Sequence, residues 1–204
     1  GVIYVWAAGN GRDMYDNVNF DGMASSRYTI AVGASGANGI YSWYSEPGAS
    51  MLVNCPSSDD YNGITTTDRV GTVGYSSGDY TSAFGGTSSA TPLAAGIIAL
   101  MLERNPNLTW RDVQHILVDT AFKNDPSDPG WAQNGSGRLF NHSYGFGRID
   151  AEAAVNAAAT WTNVPALNPP LTASLTTPEA IPDNNPTGIT QVLNISSAGE
   201  IFTE

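Results

Sequence analysis

The sequence predicts an α/β fold built on a parallel sheet, and three observations carry that expectation. Residues 1–8, Gly-Val-Ile-Tyr-Val-Trp-Ala-Ala, are continuously apolar, as expected of a strand covered on both faces. Residues 28–34 and 49–55 read as two further buried strands. Residues 93–102 form a helix-compatible apolar run, entered through Gly85-Gly86-Thr87-Ser88-Ser89. Pro92 is expected in the first turn of that helix, where a missing N–H costs nothing.

The bulk numbers narrow the function. The 204 residues suffice for one domain with a sizeable core. Eight Lys plus Arg against 19 Asp plus Glu give a net charge of −11, which disfavours nucleic acid or an anionic membrane as partner. The same balance suits basic substrates and calcium ligands. No apolar run reaches the roughly 18 residues of a membrane span. The lone Cys55 excludes an internal disulfide and a cysteine-based metal site, and its apolar flank predicts a buried structural thiol.

Taken in order, the first strand ends at Gly9-Asn10-Gly11. In open α/β sheets the ligand crevice lies beyond the carboxyl ends of the strands, so Asn10 falls where a functional side chain is expected. Residues 12–26 are polar and loop-like and hold Asp13, Asp16 and Asp21. Glu46 follows the second strand in a Gly- and Ser-rich region. Residues 64–67 and 70–73 read as the two arms of a β-hairpin. The segment from Gly86 to Thr91 places hydroxyls at a helix start, where free N–H groups and the dipole favour an anion. Thr109 and Asp112 predict a capping box for a second helix, with Val113, Ile116, Leu117 and Ala121 on its apolar face. Asp150 caps a short helix over residues 151–159. After Trp161 the composition shifts to a proline-marked linker.

The longer motifs carry a resemblance. Gly86-Thr87-Ser88-Ser89-Ala90-Thr91-Pro92 resembles the nucleophile segment of subtilisin-like serine proteases. Trp6-Ala7-Ala8-Gly9-Asn10-Gly11 resembles the family's oxyanion-hole segment. Leu93-Ala94-Ala95-Gly96, Asn107 to His115 and Tyr15-Asp16-Asn17-Val18-Asn19-Phe20-Asp21-Gly22 are similar to the kexin/furin branch. The resemblance implies Ser88 as nucleophile, with Asn10 holding the oxyanion. It also implies Asp21 as the pocket carboxylate for a basic P1 residue (the residue on the acyl side of the scissile bond). Ala7, Ala8 and Gly9 become a pocket wall, and Asp16 and Glu46 calcium ligands. Val18 replaces a loop cysteine whose disulfide partner falls at Gly48. Phe84 stands where the branch often has His, on the leaving-group side.

The expected protein is thus a calcium-dependent serine endopeptidase of the secretory pathway, acting on peptides with a basic P1 residue and made with its own propeptide. In this family the triad runs Asp, His, Ser. His115 and His142 both follow Ser88 and lie in no segment like the catalytic histidine's. Residues 1–162 therefore correspond to the C-terminal half of a subtilisin-like catalytic domain, with a parallel sheet and helices on both faces. Its Asp and His are expected upstream. Residues 163–204, with strand character over 171–175 and 188–195, resemble the linker and opening strands of a β-sandwich P domain. The alternatives are a non-catalytic homologue that binds peptides or chaperones a partner, and a subtilisin-type protease of broad or apolar preference.

Overall fold

The computed structural model describes residues 2–166, 174 and 179–192. The chain divides into two compact units, Gly1–Val164 and Pro165–Glu204. In the first unit, β1 (Tyr4–Ala7), β2 (Thr29–Ser35) and β3 (Met51–Pro56) form a parallel sheet in that order. Buried along nearly its whole length, β2 is the central strand. Its small residues are required there: a Cβ on Gly33 would meet the Met51 sulfur at 2.5 Å.

One face of the sheet carries α1 (Thr87–Arg104), α2 (Trp110–Thr120) and α3 (Ala151–Thr160). Ile30, Val32 and Val53 pack there against Ala94, Ile98 and Ile116. The other face buries Ala8, Ala31 and Met51 beneath Val18 and Ala24 of the loop after β1, which winds through two 3-10 turns, Arg12–Met14 and Val18–Phe20. The α/β expectation is borne out, and this loop is the cover that the described residues provide on the second face. Cys55 is buried in β3, and burial pushes its thiol up to about 12.

Local signals read true. The Thr109 hydroxyl accepts the Asp112 N–H, and the Asp112 carboxylate accepts the Thr109 N–H, a closed capping box. Asp150 caps α3 through the Ala153 N–H at 2.9 Å.

Two expectations fail in this unit. The residues 64–67 arm does not pair with 70–73: β4 (Ile64–Thr67) pairs antiparallel with β5 (Tyr80–Phe84). Val70 and Val73 are 81% and 62% exposed and join no packed face. Asp68 and Asp79 instead close the intervening loop on the N–H groups of Ser76 and Gly71. Pro92 is not in the first turn of α1. It is the sixth residue, because the helix begins at Thr87. It therefore cannot return a hydrogen bond to the Ser88 carbonyl one turn back. The short ribbon β6 (Ala132–Gln133) and β7 (Leu139–Phe140) completes the first unit.

In the second unit the described residues hold turns and neither helix nor strand. Thr187 and Gly188 N–H groups both donate to Asn185. The strand expected over 171–175 lies, apart from residue 174, outside the described residues; of the one expected over 188–195, residues 188–192 are not strand, and the remainder lies outside the described residues.

Candidate active site

Two chain segments meet at the carboxyl end of β1. Thr87, the first residue of α1, donates both its N–H and its hydroxyl to the Asn10 side-chain oxygen, at 2.8 and 3.0 Å. Its hydroxyl also accepts the Gly9 N–H at 3.2 Å. The Thr87 N–H can only donate, so it fixes which end of the Asn10 amide faces it. The Asn10 NH₂ is left directed away from Thr87, with no hydrogen bond among the described residues. Ser88 follows Thr87 and is exposed. Within the described residues its hydroxyl and N–H make no hydrogen bond. A free N–H at a helix start, a free amide and an exposed hydroxyl therefore lie side by side. That set suits nucleophilic attack on a carbonyl and capture of the oxyanion that forms.

The loop after β1 gathers carboxylates. Glu46 is 7% exposed, and its Oε1 accepts the Gly11 N–H at 2.9 Å. A Cβ built on Gly11 would meet Glu46 Oε1 at 3.1 Å and Asp16 Oδ2 at 3.3 Å, so the two carboxylates converge on one point. A Cβ on Gly9, where φ is +109°, would overlap the Glu46 carboxyl outright. Burial raises the Glu46 carboxyl above its ordinary range. The Gly11 N–H works against that rise, and the like charges of Asp16 and Asp21 add to it. Asp21 lies in the opposite sense. Its Oδ1 accepts the Ala24 and Met23 N–H groups, which hold it below the usual carboxylate range. Ala8 is buried and Ala7 and Gly9 half-buried beside Asn10.

The missing loop disulfide has a substitute. A Cβ on Gly48 would lie 2.5 Å from Val18 Cγ1, so the two positions do face each other. Val18 is fully buried and donates its N–H to the Pro47 carbonyl, and Asn19 Oδ1 accepts both the N–H and the hydroxyl of Ser50. Arg12 ties the loop further. It donates to the Ser45 carbonyl and Ser143 hydroxyl, and its guanidinium lies 3.6 Å over the Tyr41 ring.

Sequence reasoning missed Thr87 and the buried hydroxyls of Tyr44, Ser57 and Ser89 beneath the Gly85-Gly86 turn. One signal was available for Ser57: it follows β3 directly, at the same carboxyl edge of the sheet as Asn10. Of the histidines, His115 is half-buried on α2. His142 is exposed with its ring edge-on to Phe140. Neither bonds to Ser88 among the described residues.

The family of the chain is shown by comparison with known proteins. Residues 1–147 match the subtilase family, peptidase S8, and the chain belongs to it. Within the family it groups with the kexin/furin branch. It is 46% identical over 171 residues to a PC3-like endoprotease (variant B) of Hydra vulgaris, covering 81% of this chain and 23% of that one. It is 45% identical over 166 residues to furin of Homo sapiens, covering 80% and 20%. The chain thus spans about a fifth of the length of these curated relatives. Among solved structures, a serine protease of Aeromonas sobria matches with a TM-score of 0.75 and 26% identity, over 81% of this chain and 38% of that one.

Proposed function

We propose that this chain is the nucleophile-bearing part of a calcium-dependent serine endopeptidase that cuts peptide chains after Lys or Arg. The observation that carries the reading is the Asn10–Thr87–Ser88 arrangement. Ser88 Oγ attacks the scissile carbonyl, while the Ser88 N–H and the Asn10 NH₂ receive the developing oxyanion. Thr87 aims the Asn10 amide and makes no contact with the reacting atoms. The general base and its orienting carboxylate come from outside this chain. Support for this lies on the surface: α1 leaves the apolar Leu93 and Leu100 exposed, and β1 has no strand on its outer edge among the described residues.

The P1 cation is held by Asp21, against a wall of Ala7, Ala8 and Gly9. A charged side chain taken from water needs such a partner, because an unpaired buried charge costs several kcal/mol. Calcium suits the Asp16–Glu46 corner, where two carboxylates converge and Glu46 has a single N–H to offset its burial. The ion supplies hard positive charge and so fixes the loop that carries Asp21. No third His, Cys, Asp or Glu joins the pair among the described residues, so the remaining ligand oxygens come from elsewhere. Membership of the kexin/furin branch supports a secretory setting and a propeptide. No helix among the described residues is long and apolar enough to cross a membrane.

The test is a peptide panel varied at P1, assayed on the enzyme that contains this chain, with Ser88→Ala as the blank. Asp21→Ala is expected to lower kcat/KM for Arg at P1 by at least about tenfold more than for Leu at P1. An unchanged preference for Arg would remove Asp21 from the pocket.

A further inference from the structure

Gly86 is the N-cap of α1, with φ +77° and ψ 169°. That conformation belongs to glycine, and glycine has no side chain to cap the helix. The turn leading to Ser88 therefore depends on groups from elsewhere, and the structure supplies them as buried hydroxyls. The Gly86 N–H donates to the Tyr44 hydroxyl at 3.1 Å. The Ser57 hydroxyl donates to the Gly86 carbonyl at 2.7 Å. Tyr44 and Ser57 lie 2.8 Å apart, and Ser57 and Ser89 2.6 Å apart. All three side chains are buried.

The protons can be assigned without conflict. Tyr44 accepts from the Gly86 N–H and donates to the Ser57 hydroxyl at 2.8 Å. Ser57 donates to Gly86, and Ser89 donates to Ser57. Trp43 stands edge-on to the Tyr44 ring at 5.3 Å and holds it in place. Hydrogen bonds in such a dry site are geometrically demanding, and a misplaced nucleophile loses rate steeply.

We infer that Tyr44 is a positioning residue for the Ser88 nucleophile, acting through the Gly86 N–H, with Ser57 as the second clamp on the same peptide unit. Tyr44 touches neither substrate nor the reacting atoms. It sets the turn from which the Ser88 hydroxyl and N–H project. The inference rests on the nucleophile role proposed above for Ser88.

The test is Tyr44→Phe in the enzyme that contains this chain, which removes one oxygen and keeps the ring under Trp43. Active sites are counted by titration with a fluorophosphonate, a small reagent that labels the nucleophilic serine without a peptide-binding requirement. Expected is a fall in kcat per titrated site of about 10- to 100-fold, with KM for an Arg peptide within about twofold. Fluorophosphonate labelling should slow in proportion. Ser57→Ala should move kcat in the same direction by less. If Tyr44 merely supports folding, the titrated fraction falls while kcat per titrated site stays within about twofold, and the inference is overturned. A wild-type enzyme that is not labelled at Ser88 overturns the nucleophile reading and the inference with it.

Discussion

Two carboxylate sites in this molecule are both withdrawn from water, and they are treated in opposite ways. Asp112, at the start of α2, is buried and fully supplied with donors: the Thr109 N–H and hydroxyl, the Trp161 indole, the Asn163 amide and the Val164 N–H. Burial works to raise its carboxyl, but the bonds from Thr109, Val164 and Trp161 outweigh burial and hold it below the ordinary range. Among the described residues Glu46 has one donor, the Gly11 N–H, and it lies beside the like charges of Asp16 and Asp21. The first site is complete within the chain and pins the segment leaving α3 onto the helix core. The second has charge in excess of its donors. A carboxylate that the fold satisfies is structural. The one that the fold leaves short, beside like charges, is the one we propose for calcium.

The largest expected effect comes from breaking the satisfied site. Asp112→Ala strands buried donors on Thr109, Trp161 and Val164 and should cost about 3–5 kcal/mol of stability in urea unfolding. A loss under 1 kcal/mol would show that water replaces the carboxylate freely. The same residue gives a pH dependence. Its folded-state carboxyl is depressed, so its contribution is fully present above the unfolded value, ordinarily near 4, and is lost as pH falls through the lower folded value. The stability difference between wild type and Asp112→Asn should therefore shrink only in acid below about pH 4. A difference that shrinks between pH 5 and 7 would contradict the assignment.

Smaller again is the effect of loosening the carboxylate loop. Asn19→Ala removes the acceptor for Ser50 and should cost about 1 kcal/mol, with a few-fold weaker calcium binding. A loss of stability with no change for calcium would detach this link from the ion site.

The contrast also explains what the sequence could reveal. The Asp112 capping box and the Asp150 cap were legible because their partners lie three residues away. The sheet strands were legible because a continuous apolar run has few other uses. The Trp161, Asn163 and Val164 donors to Asp112 were not legible, since about 50 residues separate them from it. The pairing of β4 with β5 was missed for a related reason. The nearer arm, residues 70–73, had the composition of a strand, but the structure leaves its valines exposed and pairs β4 with β5. At the candidate site the motifs marked Ser88 and Asn10, and the fold brings their segments together. Thr87 and Tyr44, which hold those segments, show their function only when strand ends distant in sequence are placed side by side.

The direct test of the contrast is a calcium titration by calorimetry on three proteins: wild type, Glu46→Gln and Asp112→Asn. Glu46→Gln keeps size and shape and removes one charged ligand. It should weaken calcium binding by at least about tenfold while changing the ion-free stability by less than about 1 kcal/mol. Asp112→Asn should do the reverse, losing stability and keeping the wild-type calcium affinity. Wild-type calcium affinity in Glu46→Gln would contradict the account.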